Sequence, residues 1–337
     1  MEILLLTGII VSILLTWIFL PRWIYKSKEV GLLWEDMNKY NHPKNVASSG
    51  GIAVVMSFVI GVLFFVAIRT FVFEVNEISL SIFSLLSVVL IFAIIGLTDD
   101  LLGWKHGGLS ARFRLILALV ASIPLVVINA GVHTMNFPLI GSVDLWLFYP
   151  LVIIPIGIAG AATTYNMLAG FNGLESGLGI IVLSFLSFIS YVNGKSWLAV
   201  IGLTMVVSLI VFYIYNKYPA KVFPGDILTY SIGALIAGMA ILGNFEKIAV
   251  FVFIPFIFEV FLKSRGKLKK QSFGIPQKDG SLKLPYKKIY GLTHLSILIL
   301  SKFKKKVYEK DVVYLIFIFQ ILICLIALIV FRNNIFI

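Results

Sequence analysis

Sulfur chemistry is nearly absent from this chain. One cysteine, Cys324, stands among 337 residues and lies in the last apolar run. That excludes an internal disulfide and any cysteine-based metal site. Histidine is scarce too: the four present, His42, His106, His133 and His294, show no metal-ligand spacing, so a zinc centre is not expected. Charge is thin, at 13% of residues against 60% hydrophobic and 14% aromatic. What the chain has in plenty is long uncharged apolar runs. A hydrocarbon core about 30 Å thick is crossed by about 20 apolar residues in a helix. Hydropathy places such spans near 3–20, 49–68, 79–98, 112–131, 146–165, 175–192, 196–214, 227–243, 247–263 and 312–331. The expectation is an all-α polytopic integral membrane protein of about ten helices, organised as a single transmembrane domain over 1–337. Pro124, Pro150 and Pro155 interrupt the fourth and fifth spans, and proline is tolerated in spanning helices. The first run ends in Pro21-Arg22-Trp23 rather than a small-residue cleavage site, so it reads as a retained helix.

The net charge of +12 is distributed as a topology signal. Lys and Arg number 5, 3, 2 and 14 in loops 21–48, 99–114, 215–226 and 263–311, and only Arg69, Lys195, Lys247 and Arg332 lie on the other side. The positive-inside rule then puts those four loops in the cytoplasm and both termini outside. This distribution argues against a nucleic-acid partner; the rest of the charge suits anionic lipid or an anionic substrate. Asp36, Asp99, Asp100, Glu175 and Asp226 all fall on the cytoplasmic side. Glu74, Glu77, Asp144 and Glu246 are scattered on the other, without polar company.

Three stretches carry chemistry. In "GLTDDLLGWKHGGLSARFR", 96–114, two adjacent aspartates end an apolar run. They read either as a helix end snorkelling to water or as a functional pair. Like charges this close raise each other's pKa unless a cation intervenes, and Lys105, Arg112, Arg114 or a divalent metal could do so. In "TTYNMLAGFNGLESGLG", 163–179, the glycines suit close helix packing. Asn166, Asn172 and Glu175 instead suggest a binding loop whose helix N-terminus receives an anion. In "YNKYPAKVFPGDILTYSIG", 215–233, Asp226 reads as a helix N-cap. With Lys217, Lys221 and Phe223 it reads equally as a site for an anion, an aromatic base or both.

The last loop, 263–311, is the one sizeable extramembrane piece. "GIPQKDGSLKLPY" predicts a small hairpin, and "KKIYGLTHLSILILSKFKKK" an interfacial amphipathic helix.

These three stretches, in this order, resemble the polyprenyl-phosphate N-acetylhexosamine-1-phosphate transferases. "NMLAGFNGLESG", "YNKYPAKVFPGD" and "ILGNF" are most similar to the eukaryotic and archaeal dolichyl-phosphate branch. The resemblance covers roughly residues 30–260 well and the last loop loosely. The histidine-rich motif of the bacterial muramoyl-pentapeptide members is absent. The resemblance implies a catalytic domain with a cytoplasmic active-site face. There a UDP-N-acetylhexosamine, UDP-GlcNAc by expectation, gives its sugar-1-phosphate to a polyprenyl or dolichyl phosphate. UMP leaves, and a lipid-linked pyrophosphate sugar begins a glycan pathway such as N-glycosylation. It also implies Mg2+, with Mn2+ as the alternative. Phosphoryl transfer of this kind is mostly positioning and charge neutralisation, and oxygen ligands suit Mg2+.

Carried over residue by residue, Asp99 and Asp100 match the family's paired aspartates, one of which is expected to interact with the attacking lipid phosphate or take its proton. Asp226 and Asn166 match the metal-holding positions. Asn172 and Phe223 match residues near the uracil. Arg114 stands where lysine is common on the lipid-phosphate side, and Gly170 and Glu175 belong to the substrate loop. Two departures lie on the sugar side. Lys269, Lys270 and Gln271 stand where the dolichyl branch carries Arg-His-Arg, and Val46-Ala47 where it carries Pro-Glu. Composition favours an archaeal plasma membrane; a eukaryotic chain of this kind would sit in the endoplasmic reticulum. Oligomeric state stays open, a homodimer among the options. The competing reading, a transporter for an anionic or lipid-linked solute, would place carboxylates near the midplane and show an internal repeat. The sequence shows neither.

Overall fold

The computed structural model describes residues 6–137 and 141–335. Eight of its helices are long and apolar enough to cross a membrane: α1 (Thr7–Glu29), α2 (Gly51–Phe71), α3 (Ser79–His106), α6 (Tyr149–Met167), α7 (Leu174–Val192), α8 (Ser196–Asn216), α9 (Gly225–Gly243) and α13 (Glu309–Val330). The two remaining expected spans are each two shorter helices. Ala111–Val120 and Ile123–Val127 form α4 and α5; Glu246–Val252 and Ile254–Ser264 form α10 and α11. Pro124 and Pro255 stand at the start of the second member of each pair. Proline lacks the N–H that would continue the ladder.

Each break is satisfied locally, as a low-dielectric surrounding requires. The Ser122 hydroxyl donates to the Leu119 carbonyl at 2.6 Å. The Phe256 amide turns to the Phe253 carbonyl, and buried Gln320 on α13 donates to the Val252 carbonyl at 3.0 Å. Helix α1 also differs from expectation: it runs through Pro21 and continues to Glu29, well past the hydrophobic run.

Connectivity fixes two faces. At one, the end of α3, the end of α6 and the starts of α7 and α9 come together around a cavity. At the other, the Tyr149 hydroxyl at the start of α6 meets Glu246 at the start of α10. Lys195, between α7 and α8, donates to the Leu242 carbonyl at the end of α9 at 2.7 Å. The segment α4–α5 therefore runs from the cavity face to the far face, and α10–α11 runs back.

Helix α9 is the axis of the bundle: 89% of its membrane window is buried, against 22% for α1 and 33% for α13. Gly96 of α3 lies directly against it. A Cβ there would lie 2.5 Å from backbone atoms of Asp226 and Ile227, so only glycine lets α3 reach the first turn of α9. The extramembrane parts are small. At the cavity face, β1 (Leu33–Glu35) pairs antiparallel with β2 (Lys44–Ala47), and β5 (Ile275–Pro276) with β6 (Leu282–Lys283). At the far face, β3 (Thr134–Phe137) pairs with β4 (Gly141–Asp144). In the last loop the expected hairpin is thus formed. It is followed by α12 (Leu292–Phe303), which is buried nearly all round in its first half, Leu292 to Ile297, and exposed at its end, rather than split lengthwise into an apolar and a polar face. A short α14 (Arg332–Ile335) closes the described chain.

Candidate functional site

The doubled aspartate is divided by the helix it sits on. Successive residues of an α-helix point about 100° apart, so Asp99 and Asp100 face different partners. Asp100 reaches the first turn of α9, where its Oδ1 accepts the Asp226 amide at 2.8 Å and its Oδ2 the Ile227 amide at 3.4 Å. It therefore supplies from another helix the cap that sequence reasoning assigned to Asp226. The N-cap residue is Pro224, which has no side-chain oxygen, and Asp226 lies inside the first turn. Asp99 turns instead to the α3–α4 connection. It is 6% exposed, accepts the Leu109 amide at 2.6 Å and receives Arg114 Nη1 at 2.8 Å. The same guanidinium nitrogen stands 3.8 Å from Asp226 Oδ2. The intervening cation among the described groups is Arg114; the side chain of Lys105 lies outside the described residues.

Asn166, at the end of α6, completes the acidic corner. Its Oδ1 accepts the Thr229 hydroxyl at 2.9 Å, which ties it to the turn of α9 that follows Asp226. Asp99, Asp100, Asn166 and Asp226 all line one cavity of about 310 Å³, together with Gly170, Glu175 and Phe223. Phe223 is placed by β2: its amide donates to the Ala47 carbonyl at 2.8 Å, and its carbonyl accepts the Gly50 amide at 2.9 Å. The Val46-Ala47 pair, noted in sequence only as a departure, is thus the strand that holds the 221–224 loop.

Several expected residues lie elsewhere. Asn172 does not line the cavity. It is buried behind it, donating through Nδ2 to Asp36 at 3.1 Å and through its backbone to Glu309 at 2.7 Å. Lys269 and Lys270 are exposed and outside the cavity wall; Lys270 lies over the Tyr286 ring at 4.9 Å. The last loop enters the site through Phe273 instead. Gly170 holds φ +106°, and a Cβ on it would lie 2.6 Å from the Phe273 ring. Sequence reasoning missed Trp34 and gave Asp36 a side of the membrane but no role; both line the cavity from the first loop. Their one available signal was position, in a cytoplasmic loop between the first two spans. Glu246, expected to be isolated, is bonded to Tyr149. Next to Phe273, His294 on α12 is packed against Tyr286, with Nε2 3.3 Å from the Phe273 carbonyl. Burial pushes its imidazole below the ordinary 6.5.

Among the described residues no group of three or more His, Cys, Asp or Glu is arranged as a ready metal cage. A hard divalent cation needs less. Mg2+ keeps waters and takes one or two carboxylates plus substrate phosphate oxygens. Asp226 and Asn166 offer oxygen donors of that kind on the cavity wall. Asp100, by contrast, is occupied by amides, and Asp99 by an amide and Arg114. The residues present fit such an ion.

Fold and site together define a polytopic membrane protein with one acidic cavity at a membrane face. The family model described as Glycosyl transferase family 4 matches residues 82–244, the stretch that supplies Asp99, Asp100, Asn166 and Asp226. A Saccharolobus solfataricus protein is 33% identical over 89% of each chain. One from Sulfolobus acidocaldarius is 31% identical over 96% of each. Both are named, in provisional form, UDP-N-acetylglucosamine–dolichyl-phosphate N-acetylglucosaminephosphotransferase. A Dictyostelium discoideum protein bearing that name outright is 29% identical over 72% of this chain and 67% of its own. This chain belongs to glycosyl transferase family 4.

Proposed function

We propose that the protein transfers N-acetylglucosamine-1-phosphate from UDP-N-acetylglucosamine to a polyprenyl or dolichyl phosphate. An oxygen of the acceptor phosphate forms a bond to the sugar-bearing phosphorus of the donor. The bond from that phosphorus to the bridging oxygen breaks, and UMP leaves with both electrons. The observation that carries this reading is the convergence of Asp99, Asp100, Asp226 and Asn166 on one cavity, with Arg114 paired to Asp99 and 3.8 Å from Asp226, in a chain whose similar relatives bear that activity in their names.

The chain's own groups divide the work. Arg114, held by Asp99, offers a fixed positive charge to the acceptor phosphate; guanidinium geometry suits phosphate oxygens. Asp100 fixes the first turn of α9 and so aims the Asp226 carboxylate. Asp226 and Asn166 would hold a divalent cation, Mg2+ or Mn2+, which when bound neutralises the pyrophosphate oxygens. The aromatic face of Phe223 is available to a nucleobase, and the glycine at 170 lets the Phe273 ring close against that part of the wall.

The cavity face is read as cytoplasmic, from the 24 Lys and Arg counted on that side and the positive-inside rule. In a Cys324→Ser background, Gly103→Cys on the cavity wall should react only with reagent supplied from the cytoplasm. The direct test incubates purified protein with labelled UDP-sugars, Mg2+ and a polyprenyl phosphate. Lipid-linked sugar and UMP should appear together with UDP-GlcNAc. Their absence with every UDP-sugar would reject the proposal.

A further inference from the structure

Gly170 and Phe171 face the cavity, but the side chains that hold this segment in place stand behind it. Asn38 and Glu309 are 2% and 1% exposed and line no part of the cavity. Asn38 Nδ2 donates to the Gly170 carbonyl at 2.8 Å, while its Oδ1 accepts the Gly274 amide at 3.2 Å. Glu309 Oε1 accepts the Asn172 amide at 2.7 Å, and its other oxygen pairs with Lys39. From the cavity side, Glu175 accepts the Gly170 amide at 2.7 Å. Three backbone groups within three residues are thus taken by side chains from the first loop, α7 and α13. A surface loop would give such groups to water.

We infer that Asn38 and Glu309 are positioning residues for the donor nucleotide: by fixing the 170–172 segment they set donor affinity without touching the donor. The inference rests on the reading that this cavity takes a nucleotide sugar. A segment already held in its binding conformation loses little freedom when the ligand arrives. Releasing it weakens binding while leaving the acceptor side alone, because Arg114 and the aspartates are built on α3, α4 and α9. Lys39 makes the arrangement affordable, since it faces Glu309 and stands 3.5 Å from Asp36.

The test is calorimetric binding of UMP to the purified full chain, beside the KM of each substrate. Asn38→Ala and Glu309→Ala should each weaken UMP binding about tenfold, the size that a hydrogen bond involving a charged or buried partner carries. The KM for polyprenyl phosphate should stay within about twofold, because its groups lie on other elements. Asn38→Ser disturbs the packing less but cannot reach the Gly170 carbonyl, so it should follow the alanine variant. Glu309→Gln keeps an acceptor for the Asn172 amide and should lose no more than about threefold. Binding stoichiometry counts folded molecules, so misfolding lowers the stoichiometry and not the affinity. If the alanine variants do not fold, the serine and glutamine variants carry the comparison. Unchanged UMP affinity in Asn38→Ser, or equal KM rises for both substrates, overturns the inference. Failure of the unaltered protein to bind UMP would overturn the nucleotide-sugar reading instead, and the inference with it.

Discussion

The two faces of the bundle use buried polar groups in opposite ways. At the far face, Tyr149 bonds Glu246 and Lys195 bonds the Leu242 carbonyl. Each of these contacts ties two elements together and lines none of the cavities described. At the cavity face, carboxylates hold backbone amides and a guanidinium, and the groups they hold stand around an open volume. Low dielectric makes an unpaired polar group costly at either face. What differs is geometry: the far-face pairs close on each other, whereas at the cavity face Asp100 holds backbone amides and the Asp226 carboxylate stands on the wall of an open volume. A cluster of charges is therefore informative by what it leaves open.

The sharpest way to break this comparison is Asp226. Asp226→Ala should lower turnover about 10³-fold, the scale of losing a metal's charge stabilisation, and Asp226→Asn should not recover at raised Mg2+. Near-normal steady-state rates in Asp226→Asn would reduce the residue to a structural part of the helix. Next is Asp100→Ala, which strips two first-turn amides of their acceptor. The specificity constant should fall about 10²-fold, since the turn that aims Asp226 loosens. Asp100→Asn keeps an acceptor, and its donor affinity should stay within a few-fold. A large loss of donor binding with little change in turnover would move Asp100 to the donor side.

The far face supplies the converse. Glu246→Ala leaves a buried Tyr149 hydroxyl unpaired and should cost about 1–3 kcal/mol of stability, seen as a lower unfolding temperature. Activity per folded molecule should hold within about twofold, as the change is distant from the site. A selective loss of turnover there would erase the distinction between the faces. The smallest effect expected is at His294. Burial holds its imidazole below 6.5, so the unfolded chain binds the proton more readily. Stability is then fully present above 6.5 and declines as pH falls below it. Unfolding temperatures between pH 8 and 5 should show this decline, and His294→Asn should flatten it.

Much of this was legible from one strand of letters, and particular residues show where legibility stopped. Apolar runs announced the helices, because length and hydropathy are local properties. Of the two broken spans one was signalled, by Pro124 for α4–α5, whereas Pro255 in α10–α11 passed unmarked; the interruption expected at Pro150 and Pro155 is instead one continuous span, α6. Asp99, Asp100, Asn166, Gly170, Glu175, Phe223 and Asp226 were all singled out and all line the cavity. The position of Asn172 behind the wall was not legible, nor the exposure of Lys269 and Lys270. Both depend on how the last loop folds over the face, and no local pattern specifies that. Asn38 and Glu309 were missed altogether. Single polar residues beside a helix end look like solvent-facing residues until another segment, far away in sequence, arrives to bury them.

The sequence by itself determined that this is a membrane bundle, which face carries its acids and to which family's motifs it is similar. Composition, charge asymmetry and motif order need no tertiary contact to be read. Only the tertiary structure decided which aspartate does what. Helical geometry sends Asp99 and Asp100 in different directions: Asp99 meets the Leu109 amide and Arg114 close by in the chain, and Asp100 meets the Asp226 amide 126 positions away. It is Gly96 that admits α9 closely enough for Asp100 to cap it. Adjacent letters became different instruments because the chain, folding back, brought each a different partner.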